Sequence, residues 1–215
     1  MVLMATLIIT VAAAAIWALA VPRAKLIDPE APALGELVCL RSTAVVALFA
    51  FATAQVLWLV PEQRWWLLVG YLAAGSPLVA VDFLTTYLPT LLQRIAAGFL
   101  LPGLGWLAMH DPAALIGALL GGALAYGFFW VAWRLSRQLG YGDVRLAGLL
   151  GVAAGQAGTT MIALALVCGT MLGMIAGIGH LFRRRRTPGL PAHFAYGPAL
   201  WLGAPVGYAL APLIA

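Results

Sequence analysis

Apolar residues come in long runs, separated by short polar breaks. The runs cover about 2–21, 43–60, 65–81, 91–109, 113–133, 146–182 and 197–214, and the breaks fall at 22–42, 61–64, 82–90, 110–112, 134–145 and 183–196. Runs near 20 residues match the thickness of a bilayer core. No internal repeat, low-complexity linker or second domain interrupts them. The pattern predicts an all-α, polytopic transmembrane helical bundle of about seven apolar segments, forming a single domain over 1–215.

The run 146–182 is too long for one crossing. As a single helix its 37 residues would measure roughly 55 Å, against a core of about 30 Å. Gly151, Gly155 and Gly158 lie within it. The expectation is a helical hairpin: a short piece near 146–156, then a full helix near 159–182.

Composition agrees with a membrane location. Hydrophobic residues make up 64% of the chain and charged residues 9%, far below the share that covers a soluble domain. The net charge of +5 then reflects cytoplasmic retention of Lys and Arg rather than a nucleic-acid partner. Placing 134–145 in the cytoplasm and alternating sides puts Arg23, Lys25, Arg41, Arg94, Arg134, Arg137, Arg145 and Arg183 to Arg186 inside. Only Arg64 is then outside, so eleven of the twelve basic residues share one side. The hairpin is necessary for that result. Residues 2–21 contain Ala18-Leu19-Ala20 but no basic residue before Arg23, so they read as a retained first helix entering from outside and not as a cleaved signal.

Two of the seven acidic residues stand apart. Asp28, Glu30, Glu36, Glu62 and Asp111 lie in aqueous loops, whereas Asp82 ends an apolar run and Asp143 precedes one. Charges at membrane depth are costly and face a cavity or a partner. For each, the plain alternative is a helix cap or a solvated boundary residue. The alternation places both carboxylates on one face, although 61 positions separate them in the sequence. Gly140 and Gly142 flank Tyr141 just before Asp143. Glycine permits strained angles or close approach of another backbone, as an extended peptide substrate would need; a simple helix-linking turn would also use it. Arg145 either stabilises the charged form of Asp143 or serves only as an orientation charge. His110, His180 and His193, with the unpaired Cys39 and Cys168, show no metal-ligand spacing. No metal or other cofactor is expected. The spacings Gly117/Gly121, Gly151/Gly155, Gly169/Gly173 and Gly173/Gly177 predict close helix packing. The tryptophans near run ends, Trp65, Trp66 and Trp133 among them, predict an aromatic belt.

Gly140-Tyr141-Gly142-Asp143-Val144-Arg145-Leu146 resembles the GxGD motif of the prepilin peptidases, or type IV leader peptidases. Asp82 through Leu88-Pro89 resembles that family's first aspartate motif, and Tyr196-Gly197-Pro198 its FGP-type segment. The resemblance implies a membrane aspartic endopeptidase with Asp82 and Asp143 as catalytic residues. Gly140, Gly142, Pro89 and Arg145 would border the substrate, a prepilin or pseudopilin-like membrane protein with a short basic leader. It also implies a multi-pass protein of the bacterial plasma membrane whose active site faces the cytoplasm, serving a type IV pilus or a secretion system. Two features depart from the family pattern. Thr90 stands where Asn or Asp is usual, and 22–42 lacks the CxxC-bearing insert associated with N-methylation, so methyltransferase activity is not expected. Two other readings remain: an intramembrane protease of the presenilin and signal-peptide-peptidase type, whose PAL motif Pro198-Ala199-Leu200 resembles, and a small transporter using the two aspartates as ion sites.

Overall fold

The computed structural model describes residues 1–26, 33–136, 139–187 and 194–214. Asp28, Glu30, Arg137 and His193 lie outside the described residues. Eight α-helices are formed among those described: α1 (Val2–Ala20), α2 (Leu40–Ala54), α3 (Trp65–Thr85), α4 (Thr90–His110), α5 (Pro112–Ser136), α6 (Tyr141–Gly155), α7 (Thr159–Arg186) and α8 (Gly197–Ile214). Helices satisfy their backbone groups internally, which an apolar surrounding requires. Six of them, all but α6 and α8, are long and apolar enough to cross a membrane. The molecule is an all-α, polytopic membrane bundle.

Local chemistry sets the breaks. Thr86, at φ 60°, ends α3 in a left-handed conformation. The Asp111 carboxylate accepts from the backbone N–H of Ala114 at 3.0 Å and so caps α5. Gly158, at φ 100°, makes the turn between α6 and α7, a conformation that favours glycine. Cys39 caps α2 in a reciprocal pair with Ser42. The Ser42 hydroxyl also accepts from the indole N–H of Trp17 on α1 at 3.1 Å, which joins the first two helices.

The long apolar run is indeed a hairpin. Residues 156–158 separate α6 from α7. The α6 helix begins at Tyr141, earlier than the hydrophobic pattern predicts, because its first turn is polar and is capped rather than driven by burial. Both partners of the hairpin pack tightly through small residues. Gly117 and Gly121 on α5 face Gly155 and Gly151 on α6, where a Cβ added to Gly117 would stand 2.5 Å from the Gly155 carbonyl oxygen. Gly169 on α7 lies against Leu200 on α8, and Gly173 lies under the ring of Tyr196. These contacts run antiparallel and are the close packing that the glycine spacing predicts.

The helices alternate between two ends. Met1 and Met4 lie beside Glu62, Trp65 and Trp66, so α1 and α3 start at the same end. The Gln156 amide in the hairpin turn donates to the Arg64 carbonyl at 3.1 Å, which brings 156–158 to that end as well. Ala211 and Pro212 of α8 join Pro61 and Arg64 there. The C-terminus of α3, the N-terminus of α6 and the N-terminus of α8 therefore meet at the opposite end. Helix α3 forms the centre, with 78% of its apolar window buried against 28–33% for the other five spans. Large side chains such as Leu119, Leu124 and Phe128 of α5 face outward, as a lipid-facing surface requires. The tryptophans are less uniform than a belt. Trp66 and Trp58 are exposed, but Trp17, Trp65 and Trp201 are buried in the core, and Trp65 donates to the Val60 carbonyl at 2.9 Å.

Candidate active site

Asp82 lies in the last turn of α3, not beyond it, and only 4% of its surface is exposed. It is neither a helix N-cap nor a solvated boundary residue. Its carboxylate oxygen Oδ2 accepts a hydrogen bond from the backbone N–H of Gly197 at 2.9 Å. Gly197 is the first residue of α8, so the positive end of that helix dipole faces the carboxylate. The approach leaves no space for a side chain: a Cβ on Gly197 would lie 2.6 Å from Oδ2.

Asp143 occupies the first turn of α6. Gly140 is the N-cap, and its backbone N–H donates to the Asp143 carboxylate at 3.2 Å. Asp143 is therefore not the N-cap itself but the residue three positions on, where a carboxylate meets the free N–H groups of a helix start. The two aspartates belong to one cluster. A Cβ on Gly197 would meet both the Asp82 carboxylate and, at 3.3 Å, a methyl of Leu146, one turn after Asp143. The turn that follows Asp82 also packs on the turn that carries Asp143, through Leu88 and Gly142.

Tyr196 completes this group. Its ring covers Gly173 and meets the edge of Phe194 at 6.3 Å. Burial, and secondarily the charge of Asp143, push its phenol up to about 12. The phenol is thus harder to ionise than that of a free tyrosine. Tyr196 and Gly197 are legible in the sequence only through the segment Tyr196-Gly197-Pro198; no spacing relates them to either aspartate.

Four further residues drawn from the sequence surround this cluster in distinct ways. Pro89 is buried and is the N-cap of α4. Gly140 is exposed at the mouth of the α6 turn. Gly142 permits a close approach, but the approach is made by this chain: a Cβ there would stand 2.7 Å from Leu88 Cβ and 3.2 Å from the Gln93 amide nitrogen. The space opposite Gly142 is thus filled by the 82–90 turn rather than open to a bound peptide. Arg145 turns away from Asp143. Its guanidinium donates to Gln93 Oε1 at 3.1 Å and to Thr90 Oγ1 at 3.3 Å, and it stacks over the Tyr141 ring at 4.7 Å. Arg145 thus belongs to a link between α4 and α6 instead of forming an ion pair with its neighbour. Thr90, where the family pattern has Asn or Asp, still supplies an acceptor at this point. Tyr141 in turn shares a 2.6 Å hydrogen bond with Tyr126 of α5.

Among the described residues, no group of three or more His, Cys, Asp or Glu side chains converges as a metal site would. Comparison of the chain with protein-family models, with curated proteins and with solved structures finds no match.

Proposed function

We propose that this chain is a membrane aspartic endopeptidase of the prepilin-peptidase type, which removes short basic leaders from pilin-like membrane substrates at the cytosolic boundary. The observation that carries the reading is the pairing of Asp82 and Asp143. They are two acidic side chains from distant parts of the sequence, gathered at the end of the bundle where α3, α6 and α8 meet, whereas Glu62 and Asp111 lie at the opposite end. Asp82 is held there by Gly197 and Asp143 by Gly140.

Two neighbouring carboxylates ionise together only at high cost, so they share one proton near neutral pH. The ionised partner takes a proton from water, and the resulting hydroxide oxygen bonds to the scissile carbonyl carbon. The protonated partner donates to the carbonyl oxygen. Collapse of that intermediate breaks the C–N bond, and the departing amine takes up a proton. The pair titrates as a unit, so the roles belong to the dyad rather than to either residue.

The test is co-expression with leader-bearing pilin-like proteins, with leader removal followed on a gel. The wild type should cleave, and Asp82→Asn and Asp143→Asn should each lower the rate by at least about a thousandfold, as loss of an essential acid–base partner does, while the protein still accumulates in the membrane. Near-normal cleavage by either variant overturns the dyad. A cut mapped inside the apolar segment, away from the leader boundary, would instead favour an intramembrane protease.

A further inference from the structure

Gln93 is a polar side chain on a membrane-spanning helix, and only 4% of it is exposed. A buried amide is costly unless both of its ends are satisfied, and here both are. Its Oε1 accepts from Arg145 at 3.1 Å, and its Nε2 donates to the Gly142 carbonyl at 3.0 Å. The amide orientation follows from its partners. Reversed, it would set its NH2 against a guanidinium and its oxygen against a carbonyl. Both partners belong to the first turn and a half of α6, on either side of Asp143. Gln93 itself stands in the first turn of α4, and its backbone N–H donates to the Pro89 carbonyl at 3.1 Å. The turn from Asp82 to Pro89 and the turn carrying Asp143 have no covalent link for some fifty residues. Leu88 against Gly142 and this amide strap join them directly.

We propose that Gln93 is a positioning residue, whose amide clasps the α6 turn from both sides of Asp143 and fixes that carboxylate against the Asp82 turn. The proposal rests on the peptidase reading above. Its chemistry is geometric. Holding two catalytic groups in register is worth as much as the groups themselves, and a displacement near 1 Å costs about a hundredfold in rate.

The strap needs both ends of the amide, so two variants test it. Gln93→Leu keeps the approximate volume and removes both bonds. Gln93→Glu keeps the acceptor for Arg145 and loses the donor to Gly142. Cleavage of a leader-bearing pilin-like substrate is measured in detergent, with kcat and KM separated. Both variants should lose about tenfold or more in kcat, with KM within about twofold, because a displaced dyad slows chemistry while leaving substrate contacts intact. A second readout needs no catalysis. In a chain carrying Cys39→Ser, Cys168→Ala and Asp143→Cys, maleimide should label position 143 about threefold faster or more once Gln93→Leu or Gln93→Glu loosens the turn. Unchanged kcat and unchanged labelling in Gln93→Glu overturn the proposal, because the bond to Gly142 then holds nothing. A rise in KM with kcat unchanged also overturns it and makes Gln93 a substrate contact. If Gln93→Leu fails to accumulate, Gln93→Glu decides alone. If the wild type cleaves no leader, the peptidase reading fails, and the labelling rates still decide whether Gln93 fixes Asp143.

Discussion

At the scale of single residues, the tightest constraint at the site is steric. Gly197 brings its backbone N–H to Asp82 only because it has no Cβ; a methyl group there would stand 2.6 Å from the carboxylate oxygen. The atoms nearest that position are the Asp82 carboxylate and a Leu146 methyl, so room for a methyl group is made by displacing the carboxylate itself. Gly197→Ala should therefore push Asp82 out of register and lower cleavage by about a hundredfold. Expression should be little changed, because alanine is a better helix former than glycine within α8. Leader-removal rates beside membrane yield check this, and a rate within about threefold of wild type would show that the Gly197 contact is dispensable. This constraint also marks the limit of what the chain reveals unfolded. Asp82 and Asp143 are legible because acids at membrane depth are rare and carry a cost that something must repay. Gly197 carries no such signal, since the chain has 24 glycines and only the fold selects the one beside a carboxylate. Arg145 misleads for a related reason. Adjacency in sequence suggests a partner for Asp143, but the helical turn directs its side chain toward α4.

At the scale of elements, the apolar runs translate almost directly into helices, because a chain surrounded by lipid has no other way to satisfy its backbone. The hairpin is legible from length alone. The start of α6 is not, since hydropathy does not register a helix turn built from Gly140, Tyr141, Gly142 and Asp143. That turn packs against the turn after α3 with no spare volume, which yields a prediction about pairs of residues. Gly142→Ala places a methyl group 2.7 Å from Leu88 Cβ, and should slow cleavage about tenfold or more by separating the two turns. The loss should be the same for large and small residues at the substrate's cut position, because the crowding is within the enzyme. Leu88→Gly removes the opposing Cβ. The double variant should cleave faster than the product of the two single effects allows, a non-additivity expected of contacting residues. Additive losses would mean that Gly142 and Leu88 act separately, and losses that grow with the size of the substrate residue would return Gly142 to the substrate side.

At the scale of the whole molecule, charge and site chemistry fall on the same end. Of the described basic residues, Arg23, Lys25, Arg41, Arg94, Arg134, Arg145 and Arg183 to Arg186 lie near helix ends at the aspartate end, and Arg64 belongs to the other. Helix α7 continues past the level of Gly173, where Tyr196 packs, and carries four exposed arginines at its end. A membrane potential opposes moving each of these charges outward by about 2.3 kcal/mol per 100 mV, and the positive-inside bias acts in the same direction. The aspartate end should therefore face the cytoplasm. In a chain with Cys39→Ser and Cys168→Ala, the exposed positions Ser136 and Thr187 mark the aspartate end, and Glu62 and His110 the other. Single cysteines at Glu62 and His110 should react with a membrane-impermeant maleimide in intact cells. Those at Ser136 and Thr187 should react only after the membrane is opened. The reverse pattern in all four would keep the fold and invert the protein, placing the dyad outside and removing the cytosolic leader as its substrate. A split between Ser136 and Thr187 would be more damaging, because both can share a side only if α6 and α7 cross and return. That result would dismantle the hairpin, and with it the meeting of α3, α6 and α8 that gathers the two aspartates.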